Sequence, residues 1–155
     1  MIQVNDKALD FKASFLVDGE EKVMSLSDFK GKKIALYFYP KDMTPGCTWQ
    51  AENLRDNYKE LTSKSIVVIG VSKDPIKLHK RFTEKKELPF TLVSDEDLKV
   101  NNLYGVWQLK KFMGKEYMGT VRTTFLIDEK FKIINIINKV KTKDHSAQIL
   151  YGFGL

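Results

Sequence analysis

The 155-residue sequence predicts an α/β domain built on a mixed β-sheet with helices on both faces. Three observations point there. Two runs, Lys33-Ile34-Ala35-Leu36-Tyr37-Phe38-Tyr39 and Ser65-Ile66-Val67-Val68-Ile69-Gly70-Val71, are almost continuously apolar and aromatic, as strands buried on both faces are. Helical stretches alternate with these runs. Two later runs, Arg122 to Asp128 and Phe131 to Asn138, meet at the short Asp128-Glu129-Lys130 segment and read as a hairpin.

The remaining elements follow in order. Phe11 to Val17 and Glu21 to Leu26 are expected to form a small hairpin around Asp18-Gly19. A helix is expected from Cys47 to Ser63, with an apolar stripe at Ala51, Leu54, Tyr58 and Leu61. Asp74-Pro75 opens another, with Asp74 as N-cap and Pro75 at the first helical position, running to about Glu87. Asp95 to Tyr104 is a short third helix, and Asp144 to Tyr151 closes the chain. This order is the thioredoxin-like arrangement with an N-terminal β-hairpin extension. No repeat, low-complexity tract or linker interrupts it, so residues 1–155 are expected to form one domain.

Composition narrows the function. Hydrophobic residues make up 43% and charged residues 30%, the balance of a globular chain rather than a disordered one. No apolar run approaches the roughly 20 residues of a membrane span. The N-terminus lacks a basic region followed by an apolar stretch, so no signal peptide is expected. A single cysteine, Cys47, rules out an internal disulfide, a CxxC pair and a cysteine-rich zinc site, and it fits a reducing cytoplasm. The net charge of +6 raises the question of nucleic acid. Only Arg55, Arg81 and Arg122 are arginines, however, and the lysines interleave with acids, as in Glu84-Lys85-Lys86-Glu87. A solvated lysine surface accounts for that pattern without a nucleic-acid partner.

Cys47 has the most informative surroundings. Two prolines and a glycine in Tyr39-Pro40-Lys41-Asp42-Met43-Thr44-Pro45-Gly46 end the buried strand in a tight loop. Cys47 lies four residues before Ala51 and so extends the apolar stripe, which turns its sulfur inward at the lip of a pocket. Unpaired N–H groups and the positive end of the helix dipole favour a thiolate there, marking a nucleophile rather than an inert core cysteine. Ionisation is a small part of the chemistry. A free thiol is roughly 3% ionised at pH 7, so complete ionisation gains at most about thirtyfold, against the roughly millionfold that enzymes commonly supply. Groups around the sulfur must supply the rest. Thr44 places a hydroxyl one turn earlier, within reach of the sulfur or as a helix cap. His79, in a lysine-rich helix, reads as a surface residue, and His145 as a helix-end or packing residue, which disfavours a Cys-His hydrolase. Thr44-Pro45-Gly46-Cys47 has the spacing of a dithiol motif but only one thiol.

Pro40-Lys41-Asp42-Met43-Thr44-Pro45-Gly46-Cys47-Thr48 resembles the active-site segment of peroxiredoxins: Pro, three residues, Thr or Ser, two residues, Cys. With Tyr37-Phe38-Tyr39 in front, it is similar to the bacterioferritin comigratory protein, or peroxiredoxin Q, group. Tyr104-Gly105-Val106-Trp107, Met118 to Asp128 and Lys139 to His145 also resemble that group, so the likeness runs in order from about Phe29 to the C-terminus. The resemblance implies a thiol-dependent peroxidase for hydrogen peroxide and organic hydroperoxides that needs no cofactor or metal. It implies that Cys47 is the peroxidatic cysteine, which becomes a sulfenic acid. Thr44 would hydrogen-bond the sulfur and the peroxide, Arg122 would stabilise the thiolate and polarise the O–O bond, and Pro40 would shield the sulfur from bulk water.

Two positions depart from the family pattern. Many members carry a resolving cysteine five residues after the first, and Glu52 stands there in this chain. Helical residues five apart have Cα atoms about 8 Å apart, beyond the roughly 7 Å limit of a disulfide, so two-cysteine relatives unwind this helix. A one-cysteine cycle is expected instead, reset by an external thiol: glutathione, glutaredoxin or thioredoxin. Gln50 stands where the family commonly has Glu, and for its lost charge it is left outside the catalytic set. The resemblance also implies a monomer. A non-turnover peroxide sensor or a thioredoxin-like interaction protein is the alternative reading.

Overall fold

A computed structural model describes residues 2–155. The expected hairpin is β1 (Lys12–Val17) and β2 (Glu20–Ser25), followed by a 3-10 turn at Leu26–Phe29 and then β3 (Lys33–Phe38). Helices α1 (Pro45–Asp56) and α2 (Tyr58–Ser63) lead to β4 (Ile66–Ser72), and α3 (Ile76–Lys86) leads to β5 (Thr91–Ser94). Then come α4 (Lys99–Leu103), the ribbon β6 (Trp107–Phe112) and β7 (Lys115–Thr120), strands β8 (Thr123–Ile127) and β9 (Ile133–Ile137), and α5 (His145–Gly152). The main sheet has the order β2-β1-β5-β4-β3-β8-β9. Strands β3, β4 and β5 run parallel, while β1, β8 and β9 each run antiparallel to the strand they join. The mixed, helix-flanked sheet expected from the sequence is present.

Alternation along β3 divides the core in two, as a period of two residues requires. Ile34, Leu36 and Phe38 pack with Ile69, Val71, Phe125 and Ile127. Ala35, Tyr37 and Tyr39 point the other way and pack with Cys47, Ala51, Leu54, Leu61, Phe82 and Ile149. The cysteine therefore lies on the face covered by α1, α2, α3 and α5. Val100, Tyr104, Phe11 and Leu26 cover the opposite face.

The structure differs from the sequence expectations in four places. The helix expected over Cys47–Ser63 begins earlier, at Pro45, and breaks at Asn57 (φ −111°, ψ 12°). There the Asn57 amide bonds back to the Asn53 carbonyl at 2.8 Å, the local competition that weakens asparagine inside helices. Asp74 does not cap α3. Pro75 holds the N-cap position, and the Asp74 carboxylate accepts the Ser72 hydroxyl and the Asp42 N–H instead. α4 starts at Lys99 rather than Asp95, because the Asp95 carboxylate reaches forward to the N–H groups of Val100 and Asn101. Strand β5 and the β6–β7 ribbon were not expected. The ribbon turns at Met113 and Gly114, both with positive φ, as a tight hairpin needs.

Gly70 on β4 lies between its register partners Tyr37 and Leu92. A Cβ there would come within 2.8 Å of Tyr37 Cζ and 2.9 Å of Leu92 Cδ2, so the Tyr37 ring lies directly against the β4 backbone. Gly70→Ala is expected to lower stability by about 1–3 kcal/mol through overpacking. Urea unfolding should show this as a lower midpoint with an unchanged slope.

Candidate active site

The loop after β3 builds the site. Tyr39 still donates its N–H to the Val71 carbonyl at 3.0 Å. The chain then turns through Pro40 to Met43, with Met43 in the left-handed region (φ 63°), and enters α1 with Thr44 as N-cap and Pro45 in the first helical position. The Thr44 carbonyl accepts the Thr48 N–H at 2.8 Å, the first helical bond. Gly46 and Cys47 precede that bond, so their N–H groups have no helical acceptor. Cys47 is 3% exposed and packs in the same core cluster as Tyr37 and Tyr39.

Arg122 immediately precedes β8, whose Thr123 pairs with Phe38 at the end of β3. That register brings the arginine to the point where the loop departs. Arg122 Nη1 donates to the Cys47 sulfur at 3.4 Å and to Gln50 Oε1 at 2.6 Å. Nη2 lies over Gly46, where an added Cβ would approach it to 3.3 Å.

Behind Arg122 runs a buried chain of neutral groups. Gln50 Nε2 is 3.1 Å from His145 Nδ1, and His145 Nε2 is 2.8 Å from Thr124 Oγ1. Burial, and then the charge of Arg122, push the His145 pKa down to about 3. A neutral imidazole has one donor and one acceptor, and Arg122 only donates, so the polarity of the chain is determined. Gln50 turns its oxygen to Arg122 and its amide N–H to Nδ1, and the Nε2 proton of His145 goes to Thr124. The guanidinium thus meets an amide dipole here, and its charge stays available to the sulfur.

The structure brings Cys47 and Arg122 together as the sequence reading expected. Thr44 lies one turn before the sulfur, but its hydroxyl donates to the Lys41 carbonyl at 2.8 Å and makes no bond to Cys47. Pro40 is half-buried in the loop. Gln50, left outside the catalytic set, belongs to the site, and its three-residue spacing from Cys47 on one helix face is the signal that marks it. His79 is not at the surface: it is fully buried and bonded to Asp42 and Val93. His145 does begin α5, but as a buried hydrogen-bonding group whose partners are distant in sequence.

Glu52 is half-buried and pairs with Lys86 at 3.7 Å, while Arg55 Nη1 donates to the Lys86 carbonyl at 2.8 Å. Both contacts tie α1 to the end of α3. The β6–β7 ribbon borders the site. Lys110 reaches the Thr120 carbonyl at 3.0 Å, and burial and then the charge of Arg122 lower its pKa. Lys73 lies over the Trp107 ring at 5.6 Å, and Lys143 over the Trp49 ring at 4.5 Å.

The low pKa of His145 predicts a pH effect. In the unfolded chain a histidine binds its proton below about pH 6.5, whereas in the folded chain His145 stays neutral until about pH 3. Between these values the unfolded state holds more protons, so stability falls as pH drops, by at most about 1.4 kcal/mol per unit. Urea midpoints measured at pH values from 7 down to about 4 should therefore fall more steeply in the wild type than in His145→Gln.

Comparison with known proteins agrees with this geometry. The AhpC/TSA family profile matches residues 4–136. The chain is 47% identical to peroxiredoxin Bcp of Bacillus subtilis, over 96% of this chain and 93% of that protein. It is 46% identical to peroxiredoxin Bcp of Escherichia coli K12, over 93% of each. A solved structure of the bacterioferritin comigratory protein of Xanthomonas campestris, from work on its alkyl peroxide reduction activity, superposes with a TM-score of 0.85 at 29% identity, covering 93% of this chain and 90% of that one. The chain belongs to the AhpC/TSA family and, within it, to the Bcp peroxiredoxins, which are thiol-dependent peroxidases.

Proposed function

We propose that this chain, one domain acting as a cytoplasmic monomer, reduces hydrogen peroxide and organic hydroperoxides by a one-cysteine cycle at Cys47. The observation that carries this reading is the 3.4 Å contact between Arg122 Nη1 and a buried sulfur at a helix start. The Cys47 thiolate attacks one peroxide oxygen, the O–O bond breaks, and the departing oxygen leaves as alkoxide or hydroxide and takes up a proton. The sulfur is left as sulfenic acid. Arg122 Nε and Nη2 make no hydrogen bond among the described residues, so the fork keeps donors for the two oxygens. The Thr44 hydroxyl is a rotor one turn from the sulfur, with lone pairs free to accept a peroxide proton. Pro40, half-buried in the loop before α1, has the role of shielding the sulfur from bulk water in this reading. The alkyl peroxide reduction of the Xanthomonas protein favours organic hydroperoxides as substrates.

Resetting needs two equivalents of an external thiol. The first forms a mixed disulfide with Cys47 and releases water, and the second regenerates the thiol and leaves as a disulfide. Glutathione, glutaredoxin and thioredoxin all supply that chemistry. The absence of a second cysteine from the sequence and the tie of α1 to α3 both favour this route. Cytoplasmic thiol pools keep such a cysteine reduced.

Arg122→Lys loses the fork and is expected to slow peroxide reduction by about 10²–10³-fold, with Cys47→Ser inactive. Steady-state peroxide consumption with each reductant in turn measures both. A sensor would instead consume one equivalent and stop. Mass spectrometry after one equivalent of peroxide should show a sulfenic acid that an added thiol converts to a mixed disulfide. Loss of water within the chain, without such an adduct, would overturn the one-cysteine cycle.

A further inference from the structure

We propose that Asp42 and His79 are positioning residues for the peroxide reaction: they anchor the loop that presents Pro40 and Thr44 to the Cys47 sulfur. The inference rests on the reading of Cys47 and Thr44 given above. Asp42 sits in the middle of that loop, yet it is buried. Its Oδ2 is 2.6 Å from His79 Nδ1, its Oδ1 accepts the Tyr39 hydroxyl at 2.5 Å, and its N–H donates to Asp74 Oδ2 at 2.8 Å. Burial, and then the charge of Asp42, hold the Tyr39 pKa well above its usual value, so this phenol stays a donor. Asp74 is held in turn by the Ser72 hydroxyl at 2.6 Å. His79 Nε2 lies 2.9 Å from the Val93 carbonyl, which only accepts, so Nε2 carries a proton. The short contact to Asp42 therefore contains one further proton shared between imidazole and carboxylate, and a bond exists whichever group owns it.

One residue of the loop is thus bound to Tyr39 just past β3, to the β4–α3 connection, and through His79 to α3 and β5. The next residue, Met43, is in the left-handed region, a conformation that persists only where its surroundings hold it. Thr44 follows directly. Asp42, Asp74 and His79 place ligand-type atoms within 4.8 Å of one another, the spacing of a metal site. Their close contacts are to one another, to Tyr39, Ser72 and the backbone, which describes an anchor rather than a ligand cage. Positional errors of about 1 Å cost catalysts up to about a hundredfold, so an anchor one residue from a substrate-handling hydroxyl affects the rate.

The two nitrogens of His79 allow a selective test. Gln replaces Nε2 and keeps the Val93 bond, while Asn replaces Nδ1 and keeps the Asp42 bond. His79→Gln is expected to lower the rate constant of Cys47 with hydrogen peroxide by at least about tenfold. Alkylation by iodoacetamide, which needs the thiolate but no peroxide-orienting group, should change by less than about twofold. His79→Asn should keep most of the peroxide rate, an ordering that a purely structural role would not produce. Tyr39→Phe, which removes one bond to Asp42 and keeps the ring, should show a smaller loss in the same direction. Thr44→Val combined with His79→Gln should be no slower than Thr44→Val alone. Equal losses in both reactions, no loss in either, or a double variant showing the product of two substantial losses would overturn the inference. A peroxide loss in His79→Gln beside a silent Thr44→Val would uphold the anchor and remove Thr44 from the reaction, so the two readings fail separately.

Discussion

The reactive end of this molecule depends on one contact, between the Arg122 guanidinium and the Cys47 sulfur. A sulfur with 3% exposure is shut off from most water, and an uncompensated charge there would be costly. The compensation comes from a residue 75 positions away in sequence. Sheet geometry closes that distance: β8 lies beside β3, and the pairing of Thr123 with Phe38 sets Arg122 at the mouth of the loop. A register slip of one residue would turn the alternating side chains of β8 to the wrong faces and break the arrangement. The hydrogen-bond ladder of the sheet therefore fixes the contact between Arg122 and Cys47.

The groups behind Arg122 are matched to that task. Gln50 and His145 are both neutral, so the guanidinium gains a fixed orientation without a competing anion. A carboxylate at position 50 would orient the arginine equally well but would take a share of its charge. Under the loop the solution differs. Two buried carboxylates, Asp42 and Asp74, are held by donors from Tyr39, Ser72, His79 and the backbone. The alternating strand β3 separates the Cys47 core from the second core across the sheet.

Much of this was legible in the sequence, for identifiable reasons. β3 and β4 are long buried strands with continuous apolar runs, and Cys47, Thr44 and Pro40 lie in one contiguous motif. What escaped reading depends on contacts between distant segments. His79 looks solvated in its lysine-rich helix, and only the fold puts Asp42 and the Val93 carbonyl beside its ring. His145 meets Gln50 across 95 positions. Asp74 has the composition of a helix cap, but a tertiary partner took its carboxylate. Strand β5 has four residues, too few for periodicity to register, and the β6–β7 ribbon mixes polar and apolar residues without a buried face.

The tie between α1 and α3 has a consequence for the life of the enzyme. Glu52 and Arg55 both engage Lys86, and no second thiol exists to draw the helix apart. In a one-cysteine cycle no partner thiol within the chain draws the oxidised sulfur away from Arg122. A second peroxide that reached the same sulfur would carry the sulfenic acid on to sulfinic acid, which ordinary thiols do not reverse. Rescue and irreversible damage become competing first arrivals at a single doorway. The ratio of thiol to oxidant around the protein then sets how many turnovers each molecule completes before it is spent.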